Sequence, residues 1–294
     1  MRKVLLLFFL LGYSLTALQA QIGGEHVFSF LSMSPSAQAT ALGGSILTGD
    51  GLDVALASAN PAILSEDMDL EMAIHHQFLS GGIQSGYAGI GKWLESAEIM
   101  THLGFKYVLY GDFVETDIFG NQLGQFQGSE VAVHLGAAYQ VYENLKVGAN
   151  IKFISSSLDV YRSSGLAFDL GATYTDTASR WTIAMVLRNQ GWQLSYFQEE
   201  QESLPVDLQI GVAHRLRHLP FQLSLTYHNL NRWNLLYDDP NSEESTFFGG
   251  FQPVDTEPSQ FDNFFRHLIF GGELFLGKGE VFSIRLGYNH QRKQ

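Results

Sequence analysis

From residue 70 onward, hydrophobic side chains return at every second position, and this period constrains the fold more than any other feature. A period of two belongs to extended strands, whose alternate side chains point to opposite faces. In "LKVGANIKFIS", Leu145, Val147, Ala149, Ile151 and Phe153 share one face, while Lys146, Gly148, Asn150 and Lys152 share the other. The preceding "SEVAVHLGAAYQVY" aligns Val131, Val133, Leu135, Ala137, Tyr139 and Val141, with Glu130, Ala132, His134, Gly136, Ala138 and Gln140 opposite. The tight "YEN" between the two reads as the turn of an antiparallel hairpin. The same alternation recurs in "LEMAIHHQF", "HLGFKYVLYGDFVE", "GLAFDLGATYTD", "RWTIAMVLRNQ", "PVDLQIGVAHRL", "FQLSLTYHNL", "FFRHLIFGGELFLG" and "EVFSIRLGYNH".

Alternation alone also fits a soluble sandwich, so the surroundings of the strands must be read from composition. Only 16% of the residues are charged, against about 25% in ordinary soluble domains. The chain carries 30 Gly, 22 Phe and 12 Tyr. Strands of about ten residues, apolar on one face and small or polar on the other, are the pattern of outer-membrane barrels. Tyr107, Tyr110, Tyr139, Tyr142, Tyr174, Trp181, Trp192, Tyr196, Tyr227 and Trp233 stand near strand ends, where interfacial girdles form. Residues 1–20 read as a cleaved signal peptide: Arg2 and Lys3, an apolar run, then "LQA" before Gln21. A membrane anchor is the alternative, but the run is short and ends in a cleavage pattern. Beyond it no stretch approaches the 18 or so apolar residues of a membrane helix, so a membrane-spanning mature chain must be a closed barrel. The expected fold is therefore all-β, an antiparallel transmembrane β-barrel over residues 68–294 behind an N-terminal segment over 21–67.

Removing Arg2 and Lys3 with the signal takes the net charge from −13 to −15, which argues against a nucleic-acid partner. With no Cys there is no disulfide framework and no thiolate chemistry. The ten His lack metal-ligand spacing: His75 and His76 point to opposite faces, and His214 and His218 lie roughly 13 Å apart along a strand. "GDGLD" at 49–53 begins like a calcium loop without its bidentate Glu, and no serine sits in a nucleophile elbow. No catalytic, cofactor or metal site is expected.

Turns at one end read short ("YEN", "TAS", "RHLP", "GKG"). At the other, "VETDIFGNQLG" with "QFQGS", "FQEEQES" and the stretch from Tyr237 to Asn263 read as long acidic loops. The last of these has no Lys or Arg, and it sets Asp238 and Asp239 beside Phe247, Phe248, Phe251 and Phe261. It reads as a solvated cover or as a docking loop for a partner. The strand-like segments, of which ten are quoted above, number eleven, an odd count for a bacterial barrel, and the polar ending "YNHQRKQ" suggests that final strands are missing.

The N-terminal segment carries the most specific pattern. "SPSAQATALGGSILTGDGLDVALASANPAIL" sets Ser36-Ala37-Gln38-Ala39, Ala41-Leu42-Gly43-Gly44, Asp50, Asp53 and Asn60-Pro61-Ala62 with Leu64 in one stretch. It resembles the opening of FadL-like outer-membrane barrels, and "LPVDLQIGVAHRL" at 204–216 resembles a recurrent strand of that superfamily. Within it, "GGEHVFSFLSMSPSAQATALGG" is most similar to PorQ-like and then PorV-like proteins of the type IX secretion system of Bacteroidetes. The resemblance implies a barrel of about 12–14 strands. It also implies an inward-folded hatch containing Gly43, Gly44, Asn60, Pro61 and Ala62, and non-enzymatic work. The implied partners are PorZ with PorU and PorV, in a complex that processes cargo and attaches it to lipopolysaccharide. Diffusion of hydrophobic molecules is the superfamily's other use.

Overall fold

The structure, a computed structural model, describes residues 26–49, 53–198, 200–235, 260–277, 279 and 281–292. The export signal read at 1–20 lies outside them. The fold is all-β. Its strands are β1 (Met72–Phe78), β2 (Gln84–Leu94), β3 (Ile99–Thr116), β4 (Gln122–Tyr142), β5 (Leu145–Leu158), β6 (Tyr161–Asp176), β7 (Trp181–Ser195), β8 (Asp207–Arg215), β9 (Phe221–Tyr227), β10 (Leu268–Leu276) and β11 (Phe282–Asn289). They form one eleven-stranded sheet in sequence order, every neighbouring pair antiparallel. The two edge strands, β1 and β11, do not pair with each other among the described residues.

β2 is not among the alternating stretches quoted above. Its faces read Ser85, Tyr87, Gly89, Gly91 and Gly86, Ala88, Ile90, so small residues on both sides erase the contrast. β3 and β4 run longer than the sequence suggests. The stretch read as a loop around 114–127 continues the hairpin, with Asp112 paired to Gln127 and Thr116 to Gln122, and Phe113 stacked on Phe126 at 5.1 Å. Cross-strand aromatic pairing keeps the ladder going where composition alone suggested loop.

Burial runs opposite to that of a soluble sheet. Along β5, Val147 and Phe153 are 38% and 50% exposed, while Asn150 and Lys152 are 3% and 0% exposed. Leu103, Phe105, Leu135, Leu170, Ile183, Met185, Leu225 and Leu286 likewise face outward, and His102, Lys106, His134, Asp169, Gln209 and Glu273 lie inside.

The inward face packs against the N-terminal segment. Ser36 caps the short helix α1 (Ala37–Ala41), its Oγ accepting from the Ala39 amide at 3.3 Å. Gly43 (φ +92°) and Gly44 (φ +100°) then turn the chain in the left-handed region that glycine tolerates. Asp53 caps a 3-10 turn at Val54–Ser58, and Asn60 caps the next at Pro61–Ile63. Pro61 stands at the first helical position, where its fixed φ suits the start of a turn. Residues 54–63 thus form two tight turns, separated at Ala59-Asn60. A second helix, α2 (Gln260–Arg266), precedes β10.

Candidate functional site

The segment touches both edges of the sheet. Gln77 of β1 donates to Thr40 Oγ1 at 3.3 Å, and Asn289 at the end of β11 donates to the Gly43 carbonyl at 3.1 Å. Between those edges it meets β2, β5, β6 and β8: Val54 lies beside Gly91, Pro61 beside Gly148, Asn60 beside Gly171 and Leu47 beside Gly211. A β-carbon at Gly148 would lie 2.6 Å from the Pro61 carbonyl carbon, and one at Gly287 would run into the Leu42–Gly43 peptide. Glycine in the wall is what allows segment backbone and strand backbone to touch. The sheet therefore curls around the segment, whose Leu42, Leu47, Val54, Ala55, Leu56 and Ala57 are almost wholly buried.

Hydrogen bonds fix the position of this packing. The Asn60 amide donates to the Leu47 carbonyl at 2.8 Å and to Thr173 Oγ1 at 3.0 Å, while its oxygen accepts from the Ala62 amide at 3.0 Å. One buried side chain thus joins two parts of the segment to β6. On the opposite flank the Lys106 ammonium donates to the carbonyls of Leu31 and Met33 at 3.2 and 2.6 Å, and Arg188 donates to Leu31 at 3.3 Å. Lys146 reaches the carbonyls of Ile63 and Leu64 at 3.3 Å each. Three wall cations therefore hold carbonyls that the segment's irregular backbone leaves without a ladder.

A buried ion pair sits at the centre. Lys152 Nζ lies 2.7 Å from Asp169 Oδ2, with both side chains at 0% exposure. Lys152 also donates to Asn189 at 2.7 Å, and Asn150 donates to Asp169 at 3.0 Å and to the Ala57 carbonyl at 2.9 Å. The second Asp169 oxygen accepts the Asn189 amide at 2.8 Å. A β-bulge makes this possible. Opposite Phe168–Leu170, β7 carries one extra residue, and Asn189 takes φ +56°. Arg188 and Asn189 consequently both point inward, against the two-residue rule. Sequence reasoning placed Asn150 and Lys152 on the correct face but did not single them out, because Asp169 and the bulge that completes the pair lie on other strands.

Gly43, Asn60, Pro61 and Ala62 thus meet the wall, and Gly44 is buried beside them with its amide bonded to the Ala39 carbonyl. Of the docking-loop residues, Asp238, Asp239, Phe247, Phe248 and Phe251 lie outside the described residues. Phe261 stands on α2, 73% exposed, its ring 4.6 Å from that of Phe265. Beside it, hydrogen bonds from Arg266 and then His290 hold the Asp262 carboxyl below the usual carboxylate range. His75 pairs with Asp53 at 3.2 Å and His76 with Tyr107 at 2.8 Å, on the opposite faces expected of adjacent strand residues. His214 stacks on Trp181 at 4.3 Å. Among the described residues, no three His, Asp or Glu side chains converge as metal ligands. In comparisons with known proteins, no family model and no curated protein matches the chain.

Proposed function

We propose that the chain is a non-enzymatic outer-membrane β-barrel whose N-terminal segment is a hatch. We further propose that it anchors a surface attachment complex of the type IX secretion system, PorZ with PorU and PorV, which processes cargo and joins it to lipopolysaccharide. The observation that carries the membrane reading is the inverted burial. In water, the outward Leu, Ile, Phe and Met side chains would form an apolar surface far beyond the few hundred Å² that soluble monomers expose. In lipid the same surface meets its own kind, while the charged interior is satisfied by Lys152–Asp169 and by carbonyls of the segment.

The anchoring reading rests on the resemblance of residues 23–44 to PorQ-like proteins, within a FadL-like resemblance carried by residues 23–64 and 204–216, and on the acidic-aromatic loop. Against a transporter of hydrophobic molecules stands the interior itself. Lys106, Lys152, Asp169 and Arg188 line it beside the segment, where such a solute would need an apolar path.

The test is affinity purification from detergent-solubilised outer membrane with mass spectrometry of the partners, from the full chain and from a chain lacking 238–262. PorZ should accompany the full chain and be lost from the deletion, with the barrel still in the membrane fraction. Recovery of the mature protein from the periplasm without detergent would overturn the membrane reading. Unchanged PorZ with the deletion would remove the loop from it.

A further inference from the structure

The β3–β4 hairpin stands clear of its neighbours. β2 pairs with β3 only as far as Leu109, and β5 pairs with β4 only from Gly128. The seven residues from Tyr110 to Thr116 therefore carry the hairpin roughly 20 Å beyond the adjacent strands, at ~3.3 Å per residue. A bulge between Leu109 and Asp112, with Gly111 at φ +78°, turns the arm as it leaves the sheet. The arm is built to hold its shape. Phe113 stacks on Phe126, and Gln127 donates to Asp112 at 2.7 Å. At the tip, Asp117 accepts from the amides of Phe119 and Asn121 at 2.9 and 2.8 Å and from the Asn121 side chain at 2.8 Å. That ordered turn presents Ile118 and Phe119 at 94% and 83% exposure.

Large apolar side chains held rigidly in water at the end of an arm are a binding feature, because nothing in the chain's own packing needs them there. Charge selects the partner. From Tyr110 to Gly128 the arm carries Asp112, Glu115 and Asp117 and no Lys or Arg. Such an arm is repelled by the anionic phosphates of a lipopolysaccharide surface and attracted to a basic protein face. The arm belongs to the end opposite the short turns, which in outer-membrane barrels face the periplasm. We propose that this arm docks a surface protein whose basic face surrounds an apolar pocket that takes Ile118 and Phe119. The inference rests on the outer-membrane reading and gives the anchor a contact element separate from the 238–262 loop.

The experiment places the photo-crosslinking analogue p-benzoyl-phenylalanine at Phe119 of the full chain in intact cells. A second strain adds Asp112→Asn, Glu115→Gln and Asp117→Asn; the amide oxygen at 117 still accepts from the Phe119 and Asn121 amides, and only the bond from the Asn121 side chain is lost. The expected result is an adduct with a protein, joined at a Lys- or Arg-rich peptide. Its yield should fall at least about tenfold in the neutralised strain at equal outer-membrane level, a loss of about 1.4 kcal/mol or more. A parallel Ile118→Ser chain with the analogue at Phe119 should also lose adduct. No adduct, an adduct with lipopolysaccharide alone, or a protein adduct indifferent to neutralisation overturns the proposal. If the adducted protein is PorZ, PorU or PorV, the anchoring reading gains with it. If it is another basic surface protein, the arm's role stands and the type IX reading falls.

Discussion

At two wall positions the absence of one carbon decides what can pack. Gly148 and Gly287 face segment backbone with no space for a β-carbon. Gly148→Ala should therefore lower unfolding stability by about 1–3 kcal/mol, the usual cost of overpacking a filled interior. Gly124→Ala is the control, since its β-carbon would meet only the movable end of Glu115. Urea unfolding in detergent micelles measures both, and equal stability of the two would refute the close-contact account. Asp169 poses a sharper case. Asp169→Asn leaves the buried Lys152 ammonium without its counter-charge and should cost about 3–5 kcal/mol. The double change Lys152→Met with Asp169→Leu should recover most of that loss, because both charges then leave together. At this scale the sequence was only half legible. Period two placed Lys152 and Asn150 inward, but nothing in the string "LRNQ" reveals the extra residue that turns both Arg188 and Asn189 to the same side.

Among the elements, the strands were the readable part, because their outward faces alternate Leu, Ile, Val and Phe with small or polar residues. β2 escaped because its two faces are equally small, and the β3–β4 arm escaped because its polar composition looks like loop while its pairing is strand. The segment was legible at its punctuation, Gly43-Gly44 and Asn60-Pro61, where a left-handed turn and a fixed φ leave few alternatives. Its attachment was not, since the lysines and arginine that hold it lie on distant strands. Helix α2 offers a pH test. Asp262 titrates below the usual carboxylate range because Arg266 and His290 bind its charged form. A depressed folded value means that this contact contributes fully above the unfolded carboxyl's pKa and is lost as pH falls through the depressed value. Amide exchange across 260–267, corrected for intrinsic rate, should accelerate on acidification below that range. Asp262→Asn should exchange faster at neutral pH and show no acid step.

For the molecule as a whole, the solvent of the outer face decides the fold's logic. An arginine at Phe153, half exposed in mid-strand, should destabilise the protein in phospholipid vesicles by about 2–4 kcal/mol. If the outer face met water, the same change would be nearly neutral, so unfolding from vesicles separates the two cases. The segment's reach across the wall also bears on how the molecule is assembled. Leu42 and Gly43 meet Gly287, and Asn60 meets Thr173, so residues near the beginning of the chain are held by its middle and by its last described strand. Contacts so distant in sequence close late and slowly. A chain lacking 26–64 should therefore give a broad, protease-sensitive population on refolding in detergent, where the full chain gives one resistant species. The segment is then less a stopper fitted to a finished vessel than the mandrel on which the wall is wound.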